Sequence, residues 1–238
     1  MEHDPGVERR VAFFGGSFDP PHLGHLAIAR AARDALCLDT VLFAPVGAQP
    51  LKPLGSTASF ADRVEMTRLA IAGEPAFELS LVDAPVPEGK PNYTLETLRR
   101  LQAELGPRAE LFCLMGADSF VSLRRWRGAT EVPFAATLIV ASRPGLRLDD
   151  LAGLLGTGLS LQAADPPETC PHSGIDIRSF VVHDSAGRTA PFYLLPGLDV
   201  EISASAIRTQ AQSAASVREA ALVPPAVSEY IRAKGLYR

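Results

Sequence analysis

Val11-Ala12-Phe13-Phe14-Gly15-Gly16-Ser17-Phe18-Asp19-Pro20-Pro21-His22-Leu23-Gly24-His25 is the stretch around which the rest of this chain is read. Four apolar residues in a row predict a buried strand, and Gly15-Gly16-Ser17 predicts a turn. Pro20-Pro21 stops any continuing strand, and Leu23 to Arg30 has the form of a helix's first turns. Lacking a Cβ, Gly15 and Gly16 are expected to adopt φ > 0 and to bring their amides close to an anion. His22 and His25 are three apart, a spacing that puts both imidazoles on one face beside the positive end of the helix dipole. Phosphate is the preferred guest there. His22 as a mere cap and His25 as a core histidine is the competing account. The complete order, glycine pair to second histidine behind a strand, favours the phosphate site.

The chain has 238 residues, 47% hydrophobic and 21% charged. That length buries a full core without disulfides or a structural metal, and the composition is that of a globular protein. A net charge of −4 offers no footprint for nucleic acid. Residues 1–10 are expected to be a flexible N-terminus, and the apolar run behind them is too short for a signal peptide or a membrane span, so a cytoplasmic protein is expected. Cys37, Cys113 and Cys170 are odd in number and far apart, as suits reduced thiols in a cytosol. Cys170-Pro171-His172 has no second ligand pair at metal spacing, and no protein-bound metal is expected.

The remaining segments alternate. Thr40 to Pro45 is a buried parallel strand, and Val46 to Ser59 a long loop at a strand's C-terminal end, where open α/β sheets bind ligands. Lys52 in that loop is either solvated or reaches a phosphate. Ser59 and Asp62 predict a capped helix to about Ala72, with Phe60, Val64 and Ile71 near one face. Phe77 to Leu81 alternates like a strand. Pro91-Asn92-Tyr93-Thr94 is a turn whose Thr94 is placed to cap a helix with Leu98, Leu101 and Leu105 as its buried stripe. The strand Glu110 to Met115 runs into Gly116-Ala117-Asp118-Ser119, where Asp118 either takes a ribose hydroxyl pair or caps a helix. Trp126, flanked by Arg124, Arg125 and Arg127, is either core or a face for a planar ligand. Thr137 to Ser142 is a further strand. Residues 146–197 form an irregular elaboration with a helix near Asp149 to Leu155 and strands at Phe180 to Val182 and Phe192 to Leu195. Residues 202–238 are C-terminal helices, the first capped by Ser203 and carrying Arg208 in its first turns, a second anion site. The expectation is a doubly wound, Rossmann-like α/β parallel sheet in a single domain with a C-terminal helical extension.

Gly15 to His25 resembles the signature of the His-x-Gly-His nucleotidyltransferases. Together with Pro91 to Thr94, Gly116 to Ser119, Trp126, Ser142 to Gly145, Ile202 to Arg208 and Gly235 to Arg238, it resembles in particular the bacterial nicotinate-nucleotide adenylyltransferases over nearly the whole chain. The resemblance implies transfer of AMP from ATP to nicotinate mononucleotide. It implies that His22, His25 and Arg208 are catalytic and hold ATP's phosphates with Gly15, Gly16, Ser17 and Phe18. It implies ATP contacts from Gly116, Asp118, Ile202, Ser203 and Ser205, with Asp118 on the ribose and Mg²⁺ carried on the phosphates. It implies an acceptor site from Lys52, Tyr93, Thr94, Leu95, Trp126, Arg127 and Arg143, with Trp126 stacked on the pyridine ring and backbone N–H groups near Thr94-Leu95 and Trp126-Arg127 around the carboxylate. Two positions depart from the family pattern: Ser205 stands where threonine is usual, and Leu51 where histidine is usual.

Overall fold

Val11 to Phe14 are all buried within the first strand, β1 (Arg9–Gly16), as four consecutive apolar residues demand of a strand covered on both faces. The computed structural model describes residues 9–51, 55–142, 151–165, 174–196, 204–212 and 222–238. After β1 come α1 (Leu23–Leu36), β2 (Thr40–Pro45), α2 (Phe60–Ile71), β3 (Phe77–Leu79), α3 (Thr94–Leu105), β4 (Ala109–Gly116), α4 (Ala117–Ser122), α5 (Val132–Ala135) and β5 (Thr137–Ala141). They are followed by α6 (Leu151–Leu155), β6 (Leu159–Ala164), β7 (Arg178–Asp184), β8 (Thr189–Leu195), α7 (Ala204–Gln212) and α8 (Pro225–Lys234). The strands form one sheet in the order β3-β2-β1-β4-β5-β8-β7-β6, an α/β Rossmann-like arrangement. Among the described residues no helix is long and apolar enough to cross a membrane.

By internal contacts the chain divides into two compact units. The first comprises Met1–Phe14, Ile28–Val41 and Tyr93–Asp199. In it β4 lies parallel to β1 and to β5, and β5 lies parallel to β8. β7 and β6 continue from β8 in antiparallel fashion. Its core is built on Phe112, Leu114, Leu138, Phe120 and Phe192, each under 2% exposed, with Phe120 and Phe192 rings 5.5 Å apart. α3 buries Leu95, Thr97, Leu98 and Leu101 and stops at Gly106, φ 79°.

The second unit comprises Gly15–Ala27, Leu42–Asn92 and Val200–Arg238. Its core joins Ala58, Met66 and Ala70 to Ile207, Val223, Val227, Ile231 and Tyr237. The C-terminal helices therefore pack on α2, and the Tyr230 hydroxyl donates to Asp62 2.9 Å away. The α2 cap is as the sequence predicts, with the Ser59 hydroxyl accepting from the Asp62 amide.

Several local expectations are corrected. Gly15 and Gly16 stay in β1, and the left-handed residue of the turn is Phe18, φ 46°. Tyr93, not Thr94, precedes the first turn of α3, and no side chain caps it. α2 buries Arg63, Met66, Thr67, Ala70 and Ile71, while Phe60 and Val64 are only half-buried, as is Leu105 in α3. β3 ends at Leu79 and Leu81 is exposed, so alternation there reflects a turn and not a longer strand. β6 was not expected, because Leu159 to Ala164 is largely exposed and lacks an apolar run. Asp118 sits in a helix that starts directly at Ala117, not in a turn. Cys113 is buried in β4, but Cys37 is disulfide-bonded. Separation along the chain carries no information about separation in space.

Candidate active site

In the second unit the turn after β1 is held from several sides. Its shape depends on Gly16, where a Cβ would lie 3.2 Å from the Phe18 ring. Phe18 is 1% exposed and meets the His25 ring edge-on at 4.9 Å. The Ser17 hydroxyl donates to Gln49 Oε1 at 3.2 Å, and the Ser17 carbonyl accepts from Arg63 Nη1 at 2.7 Å. Arg63 is buried, and burial lowers its pKa, opposed by the charge of Asp19.

His22 stands immediately before α1, its carbonyl accepting from the amides of His25 and Leu26. The His22 and His25 rings stack with centroids 3.7 Å apart and planes 28° from parallel. His25 Nδ1 accepts from the His22 backbone N–H at 3.1 Å. Arg208, on α7, donates from Nη1 to the Asp19 carbonyl at 2.7 Å and from Nη2 to the Ser205 hydroxyl at 3.1 Å. The second unit thus brings together Gly15 and Gly16 at the end of β1, Ser17, Phe18, both histidines, Ser205 and Arg208. Chemically this is a cationic and N–H-rich surface for a polyanion.

The first unit assembles a different cluster. Trp126 is half-buried, and its indole N–H donates to the Ser122 hydroxyl at 3.1 Å, which in turn donates to the Ser119 carbonyl. The indole plane is therefore fixed by α4. The Arg127 guanidinium lies 4.7 Å over the Tyr93 ring and 3.4 Å from Glu96. Gly128 has φ 67°, and a Cβ there would come within 2.5 Å of Leu95 Cδ2. Only glycine lets this turn close on the start of α3. Tyr93, Thr94, Leu95, Trp126 and Arg127 are accordingly neighbours through these contacts. One expected donor is corrected: the Trp126 amide is already committed to the Leu123 carbonyl at 2.8 Å. Gly116 closes β4, and Asp118 is an exposed residue in the first turn of α4.

Lys52, Arg143, Ile202 and Ser203 lie outside the described residues. Among the described residues no group of three or more His, Cys, Asp or Glu is placed to hold a metal ion. Asp19, Arg63, Gln49 and Tyr237 were not singled out as site residues. Asp19 reads as a turn residue before two prolines and Tyr237 as a chain-end aromatic, and only the fold joins them.

The sheet and the histidine turn define a nucleotidyltransferase of the cytidylyltransferase-like class, whose family model matches residues 13–210. A protein of Gloeobacter violaceus named a probable nicotinate-nucleotide adenylyltransferase is 38% identical over 228 residues, covering 96% of each chain. One of Chromobacterium violaceum with the same name is 39% identical, covering 98% of this chain and all of its own. The chain belongs to the nicotinate-nucleotide adenylyltransferase family. Its fold is similar to that of the Plasmodium falciparum nicotinic acid mononucleotide adenylyltransferase complexed with NaAD, with a TM-score of 0.69, 16% identity and coverage of 97% of this chain and 98% of that one.

Proposed function

We infer that this protein is an enzyme of NAD biosynthesis that transfers AMP from ATP to nicotinate mononucleotide, giving nicotinate adenine dinucleotide and pyrophosphate. The observation that carries this beyond family membership is the stacked His22–His25 pair in the same unit as an Arg208 already seated on the Asp19 carbonyl. The acceptor's phosphate is largely dianionic at neutral pH, so its oxygen attacks the α-phosphorus of ATP without a general base. The bond from the α-phosphorus to the bridging oxygen breaks, and pyrophosphate leaves with that electron pair. His22 and His25 then act by position and hydrogen bonding, and Arg208 by charge, on the α-phosphate and the leaving group, with the amides of Gly15 to Ser17 beside them. Mg²⁺ supplies charge neutralisation when it arrives on the phosphates of ATP. ATP as donor is in keeping with a cytoplasmic enzyme.

Trp126 supplies a ring face for the acceptor's cationic pyridinium, a contact of about 2 kcal/mol when desolvated. It does not distinguish acid from amide, since both rings carry the same charge. That distinction falls to the first-turn amides of α3 at Thr94 and Leu95, which suit a carboxylate and oppose an amide's NH₂. Each buried mismatch costs about 1–3 kcal/mol, so nicotinate mononucleotide should be preferred over nicotinamide mononucleotide by at least about 10²-fold in kcat/KM.

The test is a coupled pyrophosphate assay with ATP against nicotinate mononucleotide, nicotinamide mononucleotide and phosphopantetheine. Release only with the first is expected. Equal kcat/KM for the two pyridine nucleotides would make the enzyme dual-specific, turnover of phosphopantetheine alone would reassign the acceptor, and nucleotide binding without release would make it a sensor.

A further inference from the structure

Asp19 is held at both its side chain and its main chain. Asp19 is 4% exposed, and its carboxylate accepts from the Thr57 amide at 2.6 Å, the Ala58 amide at 3.0 Å and the Tyr237 hydroxyl at 2.7 Å. Its carbonyl accepts from Arg208 at 2.7 Å. We propose that Tyr237 is a positioning residue of the phosphate site: by donating to the Asp19 carboxylate it fixes the main chain on which Arg208 is seated, and so sets the affinity for a nucleoside triphosphate's phosphates. Only the identity of that ligand rests on the inferred function.

The placement of Tyr237 is specific. α8 ends at Gly235, φ 61°, and Tyr237 itself has φ 65°. A bulky L-residue holds that conformation only where its surroundings over-determine it. Here the ring is buried against Met66, Ile207, Val227 and Ile231, and that burial delivers the hydroxyl to Asp19. Burial, and then the bond to Asp19, raise the pKa of the hydroxyl well above its ordinary value, while the charges of Arg208 and Arg63 act in the opposite sense. Tyr237 therefore stays a neutral donor. Two of the five N–H groups of Arg208 are spent on Asp19 and Ser205, which leaves three for a ligand. Where those three point is set by the Asp19 carbonyl. Arg63 grips the Ser17 carbonyl two residues earlier, so a released Asp19 would rotate against a fixed neighbour.

The test compares wild type, Tyr237→Phe, Asp19→Ala and the double variant as full chains. Calorimetry measures binding of inorganic tripolyphosphate, of Mg²⁺–ATP and of nicotinate mononucleotide, with thermal melting alongside. Tyr237→Phe keeps the ring and removes the donor, and is expected to weaken tripolyphosphate and ATP binding by about tenfold, the worth of one hydrogen bond. Acceptor binding, which depends on the Trp126 cluster, should stay within twofold. A purely structural role would lower the melting temperature and leave that ratio unmoved. The double variant should bind tripolyphosphate no more weakly than Asp19→Ala alone, because both changes break one interaction. Unchanged tripolyphosphate affinity in folded Tyr237→Phe, equal weakening of both ligands, or additive single effects would each overturn the proposal. Should Tyr237→Phe not fold, unchanged tripolyphosphate binding by Asp19→Ala overturns it, and selective weakening supports it. A wild type that binds tripolyphosphate but releases no pyrophosphate with nicotinate mononucleotide refutes the inferred activity and leaves Tyr237's role standing.

Discussion

Gly16→Ala places a methyl group where the turn has room for a hydrogen. The new carbon would lie 3.2 Å from Phe18 Cζ and 3.3 Å from Cε2, whereas carbons in contact settle at about 3.5–4.0 Å. The ring must therefore give by roughly 0.3–0.5 Å. It has little freedom to do so, being 1% exposed, with the His25 ring 4.9 Å away and the Phe43 ring 5.6 Å away. Overpacking costs about 1–3 kcal/mol, and a single contact with a ring edge belongs near about 1 kcal/mol. Domains of this kind hold about 5–15 kcal/mol, so the variant remains folded. The larger effect falls on turnover. A misplacement of about 1 Å in a catalytic group costs about 10²-fold, so a few tenths of an ångström passed on to His25 should lower kcat by about 3–10-fold. Urea denaturation measures the first quantity, and pyrophosphate release at saturating ATP and acceptor measures the second. Wild-type kcat together with a wild-type unfolding midpoint would show that the Phe18 ring yields without moving His25, and the coupling would be refuted.

Substituting His25 or His22 by alanine should lower kcat by about 10²-fold or more in a protein that still folds; near-normal turnover by steady-state assay would remove both from the phosphate site. Arg208→Lys keeps a charge but cannot hold Asp19 and Ser205 while offering a fork to phosphate, so KM for ATP should rise about tenfold and that for the acceptor much less. The Tyr237 hydroxyl ionises in the unfolded chain near its ordinary value of 10.0, but its pKa in the folded protein is raised, by burial first. Its stabilising contribution is complete below pH 10 and falls as pH rises beyond it, by up to about 1.4 kcal/mol per pH unit. Chemical denaturation from pH 9 to 11 should show this loss in wild type and a shallower one in Tyr237→Phe; parallel curves would count against the buried donor.

Features that depend on local order are legible in the sequence. β1, β2 and β4 follow from uninterrupted apolar runs, the Ser59 cap from its spacing to Asp62, and the histidine turn from the order of its residues, because backbone sterics and hydrogen bonding act over a few positions. Which distant residues share a charge or a donor depends on tertiary packing. Gly16 is glycine because of the Phe18 ring, and not for a left-handed turn. Trp126 lends its indole face but not its amide, which the Leu123 carbonyl has taken. Asp19 reads as an ordinary turn residue until Tyr237, 218 positions later, arrives at its carboxylate. A buried carboxylate must find donors wherever the folded chain supplies them, and those donors leave no mark on the sequence beside it.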